Sequence, residues 1–157
     1  MRIGFGYDSH RLEEDRPCIL GGVLIPGVPG PSGFSDGDAV AHAVIDALLG
    51  AAALGDIGSH FPPGDERWRD ADSMDLLRRA VARVRRAGHR VGNVDITVVC
   101  ESPKIAPVAD AIRESLGQRL GVDPGSVSVK GKSNEGMGWE GRREGIAVYA
   151  VALLLAP

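Results

Sequence analysis

The stretch that most constrains the fold of this chain lies near its carboxyl-terminal end, where residues 146–155 are apolar at almost every position. A strand with one face in water alternates apolar and polar side chains, whereas a strand covered on both faces does not. The stretch therefore predicts a central strand, or a strand at a subunit interface. It requires a sheet around it and a covered surface on each side of that sheet.

Other segments of the chain supply the rest of that sheet. Residues 2–8 and 94–100 alternate in the manner of strands, and a further strand is predicted to begin at Val127. Residues 19–25, with a Gly-Gly pair between two apolar runs, predict a short hairpin. Residues 11–16 are largely charged and predict an exposed loop.

Three helices are predicted as the covering layer. The first predicted helix is rich in alanine and leucine, and Ser35 or Asp36 is its predicted N-cap. The predicted ends of the three helices are near residues 54, 87 and 120, and the second and third begin near residues 72 and 107. Because strands and helices alternate, we expect an α/β (α+β) chain forming one domain over residues 1–157, with a single mixed sheet and helices on one face. The apolar last strand predicts that sister subunits cover the other face.

Composition excludes several classes of function. The net charge of −3 argues against a general nucleic-acid binder. No apolar run approaches the roughly 20 residues of a membrane span, and the first residues read as a strand with no signal peptide. Cys18 and Cys100 do not form a CxxC pair, so a reducing cytoplasm is expected.

Asp8 and His10 form the first chemical pattern. They are two residues apart on a predicted strand, so their side chains point to the same side. His42, in the first predicted helix, can supply a third ligand to give a two-nitrogen, one-oxygen set that suits zinc and leaves an open position. The alternative is that His42 is a hydrogen-bonded core histidine. Asp46, one turn further, either orients a ligand or makes a capping or internal hydrogen bond.

The lysines form the second pattern. Of the 18 basic residues 15 are arginine, and the three lysines are Lys104, Lys130 and Lys132. Residues 130–135 follow a strand with two ammonium groups, a hydroxyl and small residues, which favours binding of phosphate. Glu135 would suit that place if it held a second cation, and the alternative is an ordinary polar turn.

Motifs in a fixed order cover nearly the whole chain. They are Gly4-x-Gly6-Tyr7-Asp8-x-His10, Ser35-Asp36-Gly37-Asp38 with His42, Asp46-Ala47-Leu48-Leu49-Gly50-Ala51, Asp56-Ile57-Gly58-x-x-Phe61-Pro62, Pro103-Lys104, and Gly141-Arg142-x-Glu144-Gly145-Ile146-Ala147. In these motifs the chain resembles the 2-C-methyl-D-erythritol 2,4-cyclodiphosphate synthases of the non-mevalonate isoprenoid pathway.

The resemblance implies a phosphorus–oxygen lyase that is a cytoplasmic homotrimer, with sheets around the threefold axis and active sites between adjacent subunits. The implied substrate is 4-diphosphocytidyl-2-C-methyl-D-erythritol 2-phosphate, whose 2-phosphate attacks the β-phosphorus and releases CMP. The implied metal ligands are Asp8, His10 and His42 for zinc, and Glu135 for a Mg²⁺ or Mn²⁺ that binds the diphosphate. An anionic nucleophile needs no general base, so positioning and neutralisation of charge are the tasks left to the site.

The same resemblance implies the residues that contact substrate. Lys132, Ser133 and the position of Phe34 carry catalytic roles. The binding residues are Asp8, Ser9, His10, Phe34, Ser35, Asp56, Ile57, Gly58, Phe61, Asp65, Pro103, Lys104, Ile105, Gly131, Lys132, Ser133, Asn134, Glu135, Trp139 and Arg142. The turn at 103–105 and residues 131–133 are assigned to cytidine, residues 56–58 to the erythritol, and a mobile loop at Ser35 closes over it.

Three positions depart from the family pattern. Phe34 stands where the family usually has His and can act only by packing or through its backbone. Pro63 stands where an Asp is frequent, and Asp65 is the nearest replacement. Lys132 replaces a frequent Thr, and its added positive charge is interpreted as compensation for Phe34.

Two other functions compete with the synthase. One is a binding module, a zinc trimer that holds CMP or isoprenoid diphosphates without turnover, with Arg142 and Glu144 as a gate near the threefold axis. The other is a metallophosphatase, which would use water as nucleophile and yield a linear phosphate.

Overall fold

The apolar last strand lies in the middle of the sheet. The computed structural model describes residues 1–156, and the strands of its five-stranded sheet are, in spatial order, β4 Gly30–Pro31, β1 Arg2–Glu13, β7 Gly145–Leu155, β5 Arg90–Val99 and β6 Val127–Lys132. Strand β7 is antiparallel to both of its neighbours, whereas β5 and β6 are parallel to each other. A separate antiparallel hairpin is formed by β2 Cys18–Leu20 and β3 Val23–Ile25. The predicted mixed sheet and its central strand are confirmed.

One face of the sheet is covered by helices. They are α1 Ala39–Ala51, α2 Ile57–His60, α3 Ser73–Arg86, α4 Ala109–Leu120 and α5 Gly138–Gly141. Helix α1 is nearly all buried and packs on β1 and β7, and α3 packs on α1. The core lies between this layer and the sheet.

Two glycines of β1 let α1 approach the sheet closely. A Cβ atom at Gly4 would overlap the carbonyl oxygen of Ala47, and one at Gly6 would overlap that of Ala43. Backbone therefore meets backbone along this contact, which only glycine permits. The contact brings the second turn of α1 beside the residues that follow Gly6 on β1.

The opposite face of the sheet carries exposed apolar side chains. Ile3 is 73% exposed and Phe5 is 62% exposed, and Tyr7, Tyr149 and Val151 are also exposed. An apolar surface of this kind marks an interaction site. It is the face for which the sequence predicts cover by sister subunits, and that cover stays a prediction.

Several predicted boundaries were wrong. Strand β1 continues to Glu13, because Leu12 and Glu13 pair with β4, so residues 11–13 are strand and not loop. The N-cap of α1 is Asp38, whose side chain accepts from the amide of Ala41, and not Ser35 or Asp36.

Helix α1 also ends earlier than predicted, at Ala51, and the segment predicted as irregular contains α2 and a 3-10 turn at Glu66–Trp68. Strand β6 extends to Lys132, so the lysines at 130 and 132 lie on a strand and not in a turn. Asp72 caps α3 by accepting from the amide of Met74, and α4 is capped by Gly121, which is left-handed, so both helices have the bounds that the sequence predicts to within one or two residues. Within residues 1–156, no helix combines the length and the apolar character needed to cross a membrane.

Candidate active site

Asp8, His10 and His42 converge in space. His10 Nε2 lies 2.7 Å from Asp8 Oδ2, and His42 Nδ1 lies 3.1 Å from the same oxygen. The two imidazole nitrogens are 3.2 Å apart. Strand β1 supplies the first two residues, and the glycine contact with α1 supplies the third. Two nitrogens and one carboxylate oxygen facing a single point fit a divalent cation with an open coordination position.

The ionisable groups of this triad perturb one another. Burial raises the pKa of Asp8, but its hydrogen bonds to His10 and His42 outweigh burial, so the net shift is downward. Burial lowers the pKa of His10, and the bond to Asp8 reverses this, so the net shift is upward. The backbone of Ser32 also hydrogen-bonds to His10 and adds to the rise. Each shift favours the charged form, as expected of an acid and a base in contact.

The outer nitrogen of His42 contacts two hydroxyl groups. Its Nε2 lies 2.8 Å from Ser73 Oγ and 3.1 Å from Ser35 Oγ. Ser73 in turn hydrogen-bonds to Asp36 through its hydroxyl and its amide. Ser73 and Asp36 were missed as site residues, because the sequence shows them only as potential helix caps. Ser35 is buried and its carbonyl accepts from Arg16 at 2.7 Å, although the sequence predicts a mobile loop there.

Asp46 makes an internal hydrogen bond, which is one of the two roles that the sequence left open for it. Its Oδ1 accepts from the amide of Ile57 at 2.7 Å, where α2 begins. Asp56 caps the same short helix by accepting from the amide of Ser59. Asp46 therefore anchors residues 56–58 beside α1, and it reaches the site through that segment.

A cavity of about 230 Å³ adjoins the triad and is mostly apolar. It brings together many of the predicted erythritol-side residues. Its lining residues are His10, Phe34, Ser35, His42, Ile57, Gly58, Phe61, Pro63, Trp68 and Leu76. The ring of Phe34 packs under the guanidinium of Arg69, whose Cζ lies 4.8 Å from the ring centroid. Phe34 therefore packs against Arg69 at the wall of this cavity, and its part in binding substrate stays a prediction.

Asp65 is placed differently from its predicted role. Its carboxylate is bound by Arg67 at 2.6 Å and caps the 3-10 turn at Glu66–Trp68. In the part of the chain that the structure describes, Pro63 lines the apolar cavity beside the triad, whereas Asp65 does not. A role for Asp65 in binding substrate would require its ion pair with Arg67 to open.

A second cavity, of about 300 Å³, collects the residues assigned to cytidine. Its lining is Cys100, Pro103, Lys104, Ile105, Ala106, Gly131, Lys132 and Ser133. Gly131 permits close approach of the turn, because a Cβ atom there would lie 2.7 Å from Cβ of Ile105. Lys130 was expected to act beside Lys132, but its Nζ is bound by Asp95 at 2.5 Å.

The segment after this cavity is held by a residue that the sequence analysis missed. Glu101 accepts from the amide of Asn134 at 2.9 Å and from that of Gly136 at 3.4 Å. Ser133 Oγ donates to Glu135 Oε1 at 3.3 Å. Glu135 itself adopts a positive φ of 52°, which is uncommon outside glycine. Glu101 follows the end of β5, and Asn134 follows the end of β6, which runs parallel to β5. An acidic residue just after such a strand is the sequence signal that points to Glu101.

A third cavity, of about 440 Å³, lies on the other side of His10. It is lined by Ser9, His10, Arg11, Trp139, Arg142, Glu144 and Gly145. Arg142 Nε and Glu144 Oε1 form an ion pair at 2.7 Å. Because His10 lines the same cavity, two of the predicted residues, Trp139 and Arg142, lie beside the triad. Among residues 1–156, the first and third cavities share His10, whereas the second shares no lining residue with either.

Comparisons with known proteins agree along the whole chain. Residues 1–155 match the YgbB family. Over 154 residues, 98% of each chain, the sequence is 58% identical to a protein of Symbiobacterium thermophilum named 2-C-methyl-D-erythritol 2,4-cyclodiphosphate synthase. A structure of the bifunctional IspDF from Campylobacter jejuni matches with TM-score 0.96 and 39% identity over 99% of this chain and 42% of that one. A 2C-methyl-D-erythritol-2,4-cyclodiphosphate synthase in a CDP-bound form matches with TM-score 0.90 and 40% identity, over 98% and 100% of the two chains.

Proposed function

Because this chain belongs to the YgbB family, we propose that it is an enzyme with the activity for which its relative from Symbiobacterium thermophilum is named. It converts 4-diphosphocytidyl-2-C-methyl-D-erythritol 2-phosphate to 2-C-methyl-D-erythritol 2,4-cyclodiphosphate and CMP. An oxygen of the 2-phosphate forms a bond to the β-phosphorus, and the bond from that phosphorus to the bridging oxygen breaks. CMP leaves with that oxygen and its electron pair. The reaction is therefore that of a phosphorus–oxygen lyase.

The observation that carries the proposal is the convergence of Asp8, His10 and His42 beside a cavity that holds Phe34 and Ser35. The attacking phosphate oxygen is already an anion, so the site need not remove a proton from it. What it must do is position two crowded phosphates and neutralise their charge. Asp8, His10 and His42 would hold a divalent cation, which would supply positive charge to the phosphates when bound.

The residues present fit zinc in the triad, since imidazole nitrogen and carboxylate oxygen are its usual ligands. Zinc bound there would act as a Lewis acid that polarises a phosphoryl oxygen. Glu135 is proposed as a ligand of the second cation, Mg²⁺ or Mn²⁺, on the diphosphate. Its exposed carboxylate, 3.3 Å from the hydroxyl of Ser133, is compatible with that role.

We propose that the cavity formed by 103–105 and 131–133 binds the cytidine part of the substrate. The CDP-bound relative supports a ligand of this kind. Lys132 and Ser133 extend from the end of β6 and would place an ammonium and a hydroxyl on the phosphates. Lys104 and Asn134 would border the same ligand.

We propose a homotrimer in which adjacent subunits complete each active site. Two features of the protomer support this. The cytidine cavity and the two cavities beside the triad have no lining residue in common among residues 1–156. The exposed apolar face of β1 and β7 supplies a surface for the subunits to bury. In this arrangement, Trp139 and Arg142 face substrate beside the triad.

The remaining assignments belong to the same proposal. Residues 1–157 form one catalytic domain, which the single hydrophobic core supports. A cytoplasmic location is supported by Cys18 and Cys100, both buried and free. Asp56, Phe61 and Asp65 border the erythritol part, with Asp65 acting only after release from Arg67.

Phosphorus NMR of the full chain with the diphosphocytidyl substrate tests the proposal. The expected result is stoichiometric CMP and a cyclic diphosphate, in the presence of zinc and Mg²⁺. Binding of substrate and metal without turnover would establish the binding module in its place. A linear phosphate product with incorporation of oxygen from labelled water would establish the phosphatase.

A further inference from the structure

Glu101 is a half-buried acidic residue that joins the turn after β5 to the segment after β6. It lies just before the turn at 103–105, and its Oε1 accepts from the amides of Asn134 at 2.9 Å and Gly136 at 3.4 Å. These are the amides on either side of Glu135. One side chain therefore holds the backbone of Glu135 from both sides and connects it to the end of the neighbouring strand.

The backbone at Glu135 needs such support. Glu135 has a φ of 52°, and Gly136 follows it with a φ of 74°. A left-handed conformation costs free energy for a residue with a side chain, and it persists only where the surrounding contacts determine it. Glycine adopts this conformation readily, so it is Glu135 that depends on the contacts around it.

The carboxylate of Glu135 has few contacts of its own. It is exposed, and within residues 1–156 its hydrogen bond is the one that Ser133 Oγ donates to its Oε1 at 3.3 Å. The direction of this side chain is therefore set mainly by its backbone. A group that fixes that backbone also fixes where the carboxylate lies relative to Lys132 and Ser133.

We propose that Glu101 is a positioning residue, which fixes the backbone of Glu135 against the cytidine turn so that residues 132–135 form one surface for the diphosphate of a cytidine nucleotide. The inference rests on the proposed function, which assigns this region to cytidine and diphosphate, and it names the group that joins the two parts. Glu101 acts through the backbone amides that it binds.

The turn assigned to cytidine has support that does not involve Glu101. Cys100 Sγ donates to the carbonyl of Pro103 at 3.3 Å, and the amide of Cys100 donates to the carbonyl of Lys132 at 2.9 Å. Pro103 and Ile105 are both buried. Loss of the Glu101 side chain should therefore leave the cytidine turn in place and release only the segment at 133–136.

Two other roles for Glu101 must be separated from positioning. The segment is also closed by its own turn, because the amide of Met137 donates to the carbonyl of Asn134 at 2.8 Å. If that turn were sufficient, Glu101 would be dispensable. Alternatively, the charge of Glu101 would act directly on the ligand. A carboxylate repels a nearby diphosphate, so its removal would then strengthen binding, whereas positioning predicts that binding weakens.

Four variants of the full chain make the distinction. Glu101→Ala removes the acceptor. Glu101→Gln removes the charge but keeps the length of the side chain and an oxygen that accepts hydrogen bonds. Glu101→Asp keeps the charge on a side chain that is shorter by a methylene group. Glu114→Ala, which removes an exposed carboxylate on α4, is the matched control.

Three measurements are made on each variant. Hydrogen exchange of the nucleotide-free protein reads the protection of the amides of Asn134 and Gly136. Calorimetric titration with CDP and with CMP, both in excess Mg²⁺, gives two affinities, and their ratio isolates what the second phosphate adds. Thermal melting gives the stability.

The parent, Glu101→Gln and Glu114→Ala are expected to protect both amides and to bind CDP more tightly than CMP. Glu101→Ala is expected to lose that protection and to bind CDP about 10- to 100-fold more weakly, as is usual when a group that orients a ligand from outside is lost. Its CMP affinity and its melting temperature should change little. Glu101→Asp should resemble Glu101→Ala, and it carries the test if Glu101→Ala does not fold.

Unchanged amide exchange in Glu101→Ala would overturn the inference. Tighter binding of CDP by Glu101→Ala would also overturn it, as would equal losses in Glu101→Ala and Glu101→Gln. A parent that binds CDP no better than CMP would instead remove the proposed diphosphate site. Amide exchange is read without nucleotide, so it would still decide whether Glu101 holds the segment.

Discussion

Asp8, His10 and His42 come from two packed elements whose backbones touch, and their side chains are 11% to 25% exposed. The cytidine cavity is formed differently, by the turn after β5 and the exposed end of β6, where Lys132 and Ser133 reach into solvent. The first region depends on tertiary packing and the second mainly on neighbouring strand ends. Substitutions near the triad should therefore change folding and metal binding together. Substitutions at the cavity should change catalysis while leaving the fold intact.

The largest expected effect is that of Gly6→Ala. Its new Cβ would overlap the carbonyl of Ala43, so α1 must move away from β1 or the strand must bend. We expect a loss of about 3 kcal/mol or more in the free energy of unfolding, and zinc binding should weaken with it. Chemical denaturation and zinc titration measure the two effects.

Gly50→Ala is the matched control for that variant. Gly50 lies on α1 itself, and the nearest atom to a Cβ there is 3.9 Å away. Alanine replaces glycine in a helix with a gain of roughly 0.5–1 kcal/mol. Similar destabilisation by both substitutions would show that close approach of α1 to β1 does not hold the triad together.

The next largest effect is that of His42→Ala, which removes a ligand rather than the packing around it. We expect most of the zinc to be lost and turnover to fall by more than about 100-fold, since even loss of a partner outside the ligand set costs 10- to 100-fold. The proposed trimer should persist, because His42 lies away from the exposed apolar face. Elemental analysis, turnover and sedimentation together check this. Full activity in the variant would remove His42 as a ligand.

Lys132→Ala tests the other region. Loss of one donor that stabilises charge in the transition state costs about 100- to 1,000-fold in kcat in well-studied enzymes, and we expect the low end of that range here. CMP affinity should change less, and the melting temperature hardly at all, since Lys132 is exposed.

Lys130→Ala is the matched control for Lys132→Ala, because its ammonium is already bound by Asp95 on the neighbouring strand. Its kcat should stay near that of the parent, and an exposed ion pair contributes at most about 1 kcal/mol to stability. If Lys132→Ala weakened CMP binding more than turnover, Lys132 would be a residue of the cytidine cavity only.

The two regions also differ in how far the sequence could predict them. Asp8 and His10 were predictable because a strand places alternate residues on one side. His42 needed the helix pattern and the resemblance, and the residues of the cytidine cavity needed the resemblance almost entirely. Spacing within a single element could not identify Ser73, which meets His42 from 31 residues away. Glu101, which meets Asn134 from 33 residues away, could be found only by knowing how β5 and β6 pair. Their roles depend on how elements pack, which local spacing does not encode.

Boundary errors have a similar cause. Residues 11–16 are largely charged and predict a loop from composition, yet a two-residue strand at Gly30–Pro31 pairs with Leu12 and Glu13 and extends β1. Lys130 predicts phosphate binding from its place beside Lys132, yet parallel pairing of β5 and β6 puts Asp95 opposite Ser128, from where its carboxylate binds the ammonium of Lys130. In both cases a partner distant in sequence decided the outcome.

The smallest predicted effect is a pH dependence of the metal-free triad. The pKa of His10 is raised above 6.5, so its ion pair contributes stability that is full below pH 6.5 and is lost as pH rises through the raised value. The pKa of Asp8 is lowered below 3.8, so its contribution is present above pH 3.8 and is lost as pH falls through the lowered value. The metal-free parent should therefore exceed His10→Gln in the free energy of unfolding most clearly between pH 3.8 and 6.5, by about 1 kcal/mol or less.

Zinc should reverse this dependence. Protons compete with the metal for His10, so the stabilisation that zinc adds should grow as pH rises through the raised pKa of His10. Melting curves of the parent with and without zinc, measured across that range, would reveal the opposite slopes. The difference in melting temperature between parent and Lys132→Ala should stay flat over the same range, because the cytidine cavity lies outside the triad. A parallel pH dependence in both regions would show that the triad and the cavity are electrostatically coupled within one protomer.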